Sequence, residues 1–318
     1  MAESEVTLKA MSAQQPKLVS AIIPCYNQAH FLGEAIASVL RQTYAHYEII
    51  VVDDGSTDDT ANVAARHPGV RCIRKKNGGL AAARNTGLRA SAGDYVVFLD
   101  ADDRLLPDAF EAGVSALDAD PKCAMAYGHV RLIDAAGAPL PSPEQAGVGR
   151  DYYLEMLRHN FIWTPGAVMY RRAALDAVGD FAASVSASAD FDLNLRIARS
   201  HSIRCLDRVV LEYRKHGSNM SGSFGLMLSH SVAVLRAQEE VVRGNLRYEA
   251  ALESALKGTR EYYGEKMIGE LRSRIGARQW RRVGADALVL LRHYPQGLAR
   301  HAGRKLFQVL SNVLNVGG

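Results

Sequence analysis

The sequence predicts an α/β protein: a Rossmann-like, mainly parallel sheet flanked by helices, followed by an all-helical C-terminal extension. Three observations carry that expectation. From Lys17 to about Leu117, short apolar runs alternate with segments of helical spacing, the pattern of strands joined by helical crossovers. In the run Glu48–Val52 four apolar residues follow the glutamate without alternation, as in a strand covered on both faces. From Gly225 onward only helical patterning remains, broken near Gly244, Gly276 and Pro295.

The elements follow in order. Val19–Ile23 reads as a strand ending at Pro24, and Phe31–Arg41 as a helix with Phe31, Leu32, Ala35, Ile36, Val39 and Leu40 on one stripe. Glu48–Val52 is the second strand. Ser56 or Thr57 caps a helix over Thr60–Arg66. Val70–Ile73, a helix over Leu80–Ala90 and the strand Tyr95–Leu99 complete the regular part. Beyond it, Ala109–Leu117, Asp151–Arg158 and Asp190–Ser200 have helical spacing. Ala124–Ile133, Ala167–Tyr170 and Ile203–Tyr213 read as extended, and Gly137–Gly149 as a surface loop. The domain reading is a disordered lead over 1–16, a sheet domain over 17–225 and a basic helical extension over 226–318.

The chain has 318 residues and a net charge of +4, too mild to argue for nucleic acid. The charge is unevenly spread. From Leu226 onward there are 15 Lys and Arg against 8 Asp and Glu, a net of +7; before it, 23 against 26, a net of −3. Four widely separated cysteines (Cys25, Cys72, Cys123, Cys205) exclude a Cys-x-x-Cys metal site and read as buried thiols in a reducing compartment. The first residues carry no continuous apolar core, and no run is long enough to span a bilayer. The expected location is cytoplasmic, with any membrane contact peripheral at the inner face.

In an open α/β sheet, ligands bind at the carboxyl ends of the strands. Three of these ends carry chemistry: Pro24-Cys-Tyr-Asn27, Asp53-Asp-Gly-Ser-Thr-Asp58 and Asp100-Ala-Asp-Asp103. Converging carboxylates are costly unless a cation offsets them. Asp100-x-Asp102-Asp103 suits Mg²⁺ or Mn²⁺, which completes its shell with phosphate oxygens. No Gly-x-Gly-x-x-Gly follows the first strand and no P-loop motif occurs, which disfavours dinucleotide oxidoreductases and P-loop enzymes. Lys75 and Lys76 read as solvated charges.

These residues resemble family 2 glycosyltransferases. The resemblance lies in Ile22-Ile-Pro-Cys-Tyr-Asn27, Ser38-Val-Leu-Arg-Gln-Thr43, Val52-Asp-Asp-Gly-Ser-Thr-Asp58, Asn77-Gly-Gly-Leu-Ala-Ala-Ala-Arg-Asn85 and Phe98-Leu-Asp-Ala-Asp-Asp103. It continues through Trp163-Thr-Pro-Gly166, Ala189-Asp-Phe-Asp-Leu-Asn-Leu-Arg196 and Tyr213-Arg-Lys-His-Gly-Ser-Asn219. It covers roughly residues 18 to 220 and implies a GT-A fold and inverting sugar transfer from a nucleotide-diphosphate sugar, UDP-sugars favoured. By that resemblance Pro24, Tyr26, Asp54, Arg84 and Asp102 contact the nucleotide-sugar, with Tyr26 packing on the base and Asp54 hydrogen-bonding it. Asp102, Asp103 and His216 contact a divalent metal, Mn²⁺ or Mg²⁺, and Asp190 is the general base. The sequence departs from the family at Ala189, where Glu is usual.

The implied acceptor is a saccharide or a lipid-linked acceptor of cell-surface polysaccharide synthesis. The rival readings are a nucleotide-sugar-binding scaffold without turnover, motivated by Ala189, and a sugar-phosphate nucleotidyltransferase. The latter needs a Gly-rich loop where Pro24–Asn27 stands. Ala287–Tyr294 and Leu298–Leu314 alternate apolar and basic positions. They read as helices packing on the catalytic core or on a second copy of the chain, or contacting an anionic membrane surface. No nucleic-acid partner is expected.

Overall fold

The computed structural model describes residues 15–301 apart from 146, 148 and 150. The 1–16 lead and the end of the Leu298–Leu314 segment therefore lie almost wholly outside the described residues. Eight strands form one sheet: β1 Val19–Cys25, β2 Tyr47–Asp53, β3 Val70–Arg74, β4 Tyr95–Phe98, β5 Arg104–Leu105, β6 Cys123–Ile133, β7 Val168–Arg171 and β8 Ser202–Arg214. Their order is β3-β2-β1-β4-β7-β6-β8-β5. Strands β1 to β4 pair in parallel, β7 runs antiparallel to both β4 and β6, and β6 pairs parallel with β8, which carries the short antiparallel β5.

Alternation on β1 decides which helices cover which face. Ile22 joins Ile50, Val52, Val96 and Phe98 in one apolar cluster, while Ala21 and Ile23 join Ile49, Val51, Val97 and Leu99 in the other. The second face is covered by α1 Ala29–Leu40, α2 Thr60–Ala65 and α4 Ala109–Ala119. The first is covered by α3 Leu80–Ala90, α5 Tyr152–Arg158, α6 Arg172–Val178 and α7 Ala189–Ala198. Helix α3 lies close because Gly87 has no side chain: a Cβ there would stand 2.3 Å from Ile22 Cγ2.

β1 continues through Pro24, which pairs with Val52, rather than stopping before it. The carbonyl of Ile22 accepts from Leu99 on the β4 side and that of Cys25 from Asp54 on the β2 side. Pro24 shares the parity of Ile22, so its missing N–H faces the side where β4 has already ended. The start of α2 also differs from expectation: Asp59, not Ser56 or Thr57, is the N-cap residue, without a side-chain capping bond, and Asp58 Oδ1 accepts from Thr60 N at 3.1 Å.

The helical tail comprises α8 Phe224–Arg236, α9 Glu239–Val242, α10 Leu246–Gly276, α11 Trp280–His293 and α12 Pro295–His301. Val234, Leu235, Val242, Ala251, Leu252 and Ala255 are part of the sheet-side core. Leu228, Val232, Met267, Ile268, Leu271 and Leu290 build a third cluster. The 31-residue α10 spans both clusters. Cys25 and Cys123 are buried, but Cys72 is exposed because β3 is the sheet edge. Among the described residues no helix is long and apolar enough to cross a membrane.

Candidate active site

The carboxyl ends of β1 and β2 are tied together by their own turn residues. Asn27 sits in the left-handed region at φ 53°. Its N–H donates to Ser56 Oγ at 3.0 Å, and its side-chain oxygen accepts from Thr57 N at 2.8 Å. Tyr26 is thereby held at the rim, half exposed. Gly55 has φ +79°, and a Cβ there would lie 2.9 Å from Asn77 N, so the 75–79 loop folds onto the end of β2 only past a glycine.

Asp54 organises that loop. Its buried carboxylate accepts from Gly78 N at 3.0 Å, Gly79 N at 2.8 Å and Lys75 Nζ at 2.5 Å. Lys75 is therefore not a freely solvated charge: it neutralises a buried acid. With three donors already in place, Asp54 has little acceptor capacity left for a base. Its first role is to set the entrance to α3.

At the end of β4 the acidic run splits three ways. Asp100 Oδ1 accepts from Arg84 Nη2 at 2.7 Å; Arg84 is buried, under the Phe181 ring at 5.4 Å. Asp102 Oδ2 lies 2.8 Å from His216 Nε2, with Gln28 and Asn219 amides at 3.4 and 3.3 Å. Burial pushes the Asp102 carboxyl up, the neighbouring Asp100 charge adds to this, and His216 opposes it. Asp103 is fully buried and accepts from Arg214 N at 2.9 Å; its Oδ2 has no partner. Burial, then the charges of Asp102 and Asp100, raise its pKa well above the usual carboxylate range.

Two cavities adjoin here. One, about 420 Å³, is lined by Pro24, Tyr26, Asp54, Asp100 and Asp102. The other, about 760 Å³, is lined by Arg84, Asp100, Trp163 and Asp190. They share Leu80, Asp100, Tyr213, Met220 and Ser221. Asp190, in the first turn of α7, is raised by burial and held down by Arg84. Thus Pro24, Tyr26, Asp54 and Asp102 come together at one cavity, Arg84 and Asp190 at the other, and His216 joins through Asp102.

Asp103 reaches neither cavity. The β4–β5 turn directs its Oδ1 to the Arg214 amide, and its other oxygen is buried without a partner. Asp102 and His216 remain as a pair of metal-type ligands, a carboxylate and an imidazole; among the described residues no group of three or more such side chains gathers.

Sequence reasoning counted Asp100 only among the metal-suited carboxylates and assigned no individual role to Tyr213 or Arg214. Asp100 is the acidic residue that both cavities share. Arg214 is fully buried, donating to the Asp102 carbonyl at 2.8 Å and to Glu34 at 2.7 Å. Its sequence signal was its place in the segment Tyr213–Asn219, at the end of an extended stretch. Ala189 is fully buried in the sheet-side core and lines neither cavity, so the residue before the proposed base faces inward here.

Comparisons with known proteins bear on the family and the fold. The model of "Glycosyl transferase family 2" matches residues 20–179. Chondroitin synthase of Escherichia coli is 30% identical over 226 residues, 67% of this chain and 31% of that protein. A glycosyltransferase of Rickettsia prowazekii is 33% identical over 213 residues, 65% of this chain and 66% of that one. This chain thus spans about a third of the length of the chondroitin synthase it matches.

Among solved structures, the mannosyltransferase PcManGT of Pyrobaculum calidifontis, in complex with GDP-Man and Mn²⁺, has a TM-score of 0.61 at 20% identity, covering 96% of this chain and 89% of that one. Residues 1–349 of S. aureus TarS in complex with UDP give 0.59 at 17%, covering 77% and 71%. These likenesses establish a GT-A-type fold. With half the sequence matching the family model and both cavities at the strand ends where the family motifs fall, the chain belongs to glycosyl transferase family 2.

Proposed function

We propose that the protein is an inverting glycosyltransferase that moves a sugar from a nucleotide-diphosphate sugar to a hydroxyl of a saccharide or lipid-linked acceptor. The observation that carries this is the division of residues between the two cavities. Of the residues read as nucleotide-sugar contacts, Pro24, Tyr26, Asp54 and Asp102 line the smaller, while Arg84 lines the larger beside Asp190, with Asp100 common to both. UDP and GDP-Man in the two structural neighbours support a nucleotide-sugar donor.

In this reading the donor's base lies against Tyr26, and its diphosphate lies towards Asp102. A divalent ion fits Asp102 and His216, since such ions take one or two protein ligands and complete their shell with phosphate oxygens; the Mn²⁺ of the mannosyltransferase complex supports it. When bound, the ion offsets charge developing on the leaving diphosphate.

The chain's own residues do the rest. Asp190 accepts the proton of the attacking hydroxyl as its oxygen bonds to the anomeric carbon and the bond to the diphosphate oxygen breaks on the opposite face. Attack opposite the leaving group inverts the anomeric configuration. A base needs a pKa near working pH but must remain ionised; burial raises Asp190 and Arg84 restrains it. Turnover of nucleotide sugars by the purified chain, lost in Asp190→Asn, tests the reading.

The role of the tail as a peripheral membrane contact rests on α11. Trp280, Leu288 and Leu291 are exposed on one side of it, beside exposed Arg281 and Arg292, the composition of a helix lying on an anionic surface.

A further inference from the structure

The larger cavity has a wall that the family segment does not supply. Residues 20–179 match the family model, yet Ser254, Gly258 and Tyr262 of α10 line the same cavity as Asp190. They fall four apart, so three successive turns of one helix face present themselves to it. The helix is anchored at both ends of this stretch, by Ala251, Leu252 and Ala255 in the sheet-side core and by Met267, Ile268 and Leu271 in the third cluster. It is a fixed wall rather than a loose flap.

Two large aromatic side chains on this cavity are exposed, Tyr262 at 59% and Trp163 at 39%. An exposed ring in a cavity that also holds polar groups is a surface for an amphipathic ligand. The flat C–H face of a pyranose, bounded by hydroxyls, has that character. At Gly258 an added Cβ meets nothing within 4 Å, so the cavity is open over that turn. Tyr263 ties the wall to the chemistry: burial pushes its phenol up, with Tyr262 and Asp190 adding to the shift.

We propose that α10 is the acceptor-reading wall, on which Tyr262, with Trp163, stacks a sugar ring of a saccharide acceptor beyond the ring bearing the attacking hydroxyl, while Gly258 leaves the space for it. This rests on the glycosyltransferase reading above and names its acceptor class and the residues that select it. A lipid-linked acceptor satisfies it through its sugar units and not through its lipid.

The test uses the full chain with Mn²⁺, the nucleotide sugar it turns over, and p-nitrophenyl mono- and disaccharides of glucose, galactose and N-acetylglucosamine as acceptor probes. Transfer to the probe and loss of the sugar to water are measured together. Gly258→Phe and Tyr262→Ala are each expected to lower the ratio of transfer to hydrolysis at least about fivefold, through a higher KM for the probe and more strongly for disaccharides. Nucleotide affinity is expected to stay within about twofold, and Tyr262→Phe to restore the ratio. An unchanged ratio in both Gly258→Phe and Tyr262→Ala overturns the proposal. So does failure of every glycoside to accept or bind while the nucleotide sugar is still bound and hydrolysed. Failure to bind any nucleotide sugar is a different result: it refutes the glycosyltransferase reading and takes this proposal with it.

Discussion

Arg84 donates from Nη2 to Asp100 Oδ1 at 2.7 Å, and the buried guanidinium also lies close enough to Asp190 to hold its carboxyl down against burial. One cation on α3 therefore serves the acid that both cavities share and the proposed base. The α3 helix that carries it is positioned by Asp54 through the Gly78 and Gly79 amides, so both cavities are built in part on one element.

The first prediction concerns pH. Asp190 accepts a proton only as a carboxylate, so the rate rises as pH passes its pKa. Burial raises that pKa and Arg84 lowers it, so removing the guanidinium raises it further. Arg84→Met is expected to move the acid limb of the kcat/KM profile to higher pH, with Arg84→Lys leaving it nearer the wild-type position. An acid limb that stays put or moves to lower pH in Arg84→Met contradicts this.

The proposed metal contacts are separable from Asp103. Asp102→Asn and His216→Ala are expected to weaken Mn²⁺-dependent nucleotide binding by about tenfold or more. Asp103→Asn is expected to leave that binding nearly intact while lowering the melting temperature, because Asp103 accepts from the Arg214 amide away from both cavities. Isothermal titration with Mn²⁺ and nucleotide, beside thermal melts, separates the two effects.

Two glycines of α10 predict opposite signs. Gly258 has open space around a Cβ, so Gly258→Ala is expected to stabilise by up to about 1 kcal/mol through helix propensity. At Gly264 a Cβ would stand 2.3 Å from the Tyr294 ring, so Gly264→Ala is expected to destabilise by about 1–3 kcal/mol through overpacking. Denaturant midpoints of the two variants check both.

The exposed side of α11 predicts flotation of the full chain with phosphatidylglycerol-containing vesicles and not with phosphatidylcholine alone. Replacing Leu288 and Leu291 by Ser is expected to abolish it. Equal flotation by the double variant removes α11 from the contact.

Much of the front half was legible because its signals are local. Buried parallel strands read as unbroken apolar runs, and Asp and Gly cluster where strands end; Glu48–Val52 and Leu80–Ala90 were placed within a residue or two of Tyr47–Asp53 and Leu80–Ala90. What sequence could not supply was direction. Asp102 and Asp103 are adjacent and chemically identical, yet one lines a cavity and the other turns into the core; only the path of the β4–β5 turn decides between them. Lys75 read as solvated because its partner, Asp54, is 21 positions away and comes within reach only through the fold of the 75–79 loop. The acceptor-side face of α10 was invisible for the same reason: helical spacing predicts the helix but not the cavity it borders.

The central claim is that Asp190 is the base of a nucleotide-sugar transfer. The measurement that tests it most directly is turnover of UDP-, GDP- and dTDP-sugars by the purified chain with Mn²⁺ or Mg²⁺, beside nucleotide binding, for wild type and Asp190→Asn. The account predicts turnover of at least one donor, a loss of about 100-fold or more in the variant, and nucleotide binding retained by both. Turnover that survives in the variant, or no nucleotide binding by the wild type, would contradict it.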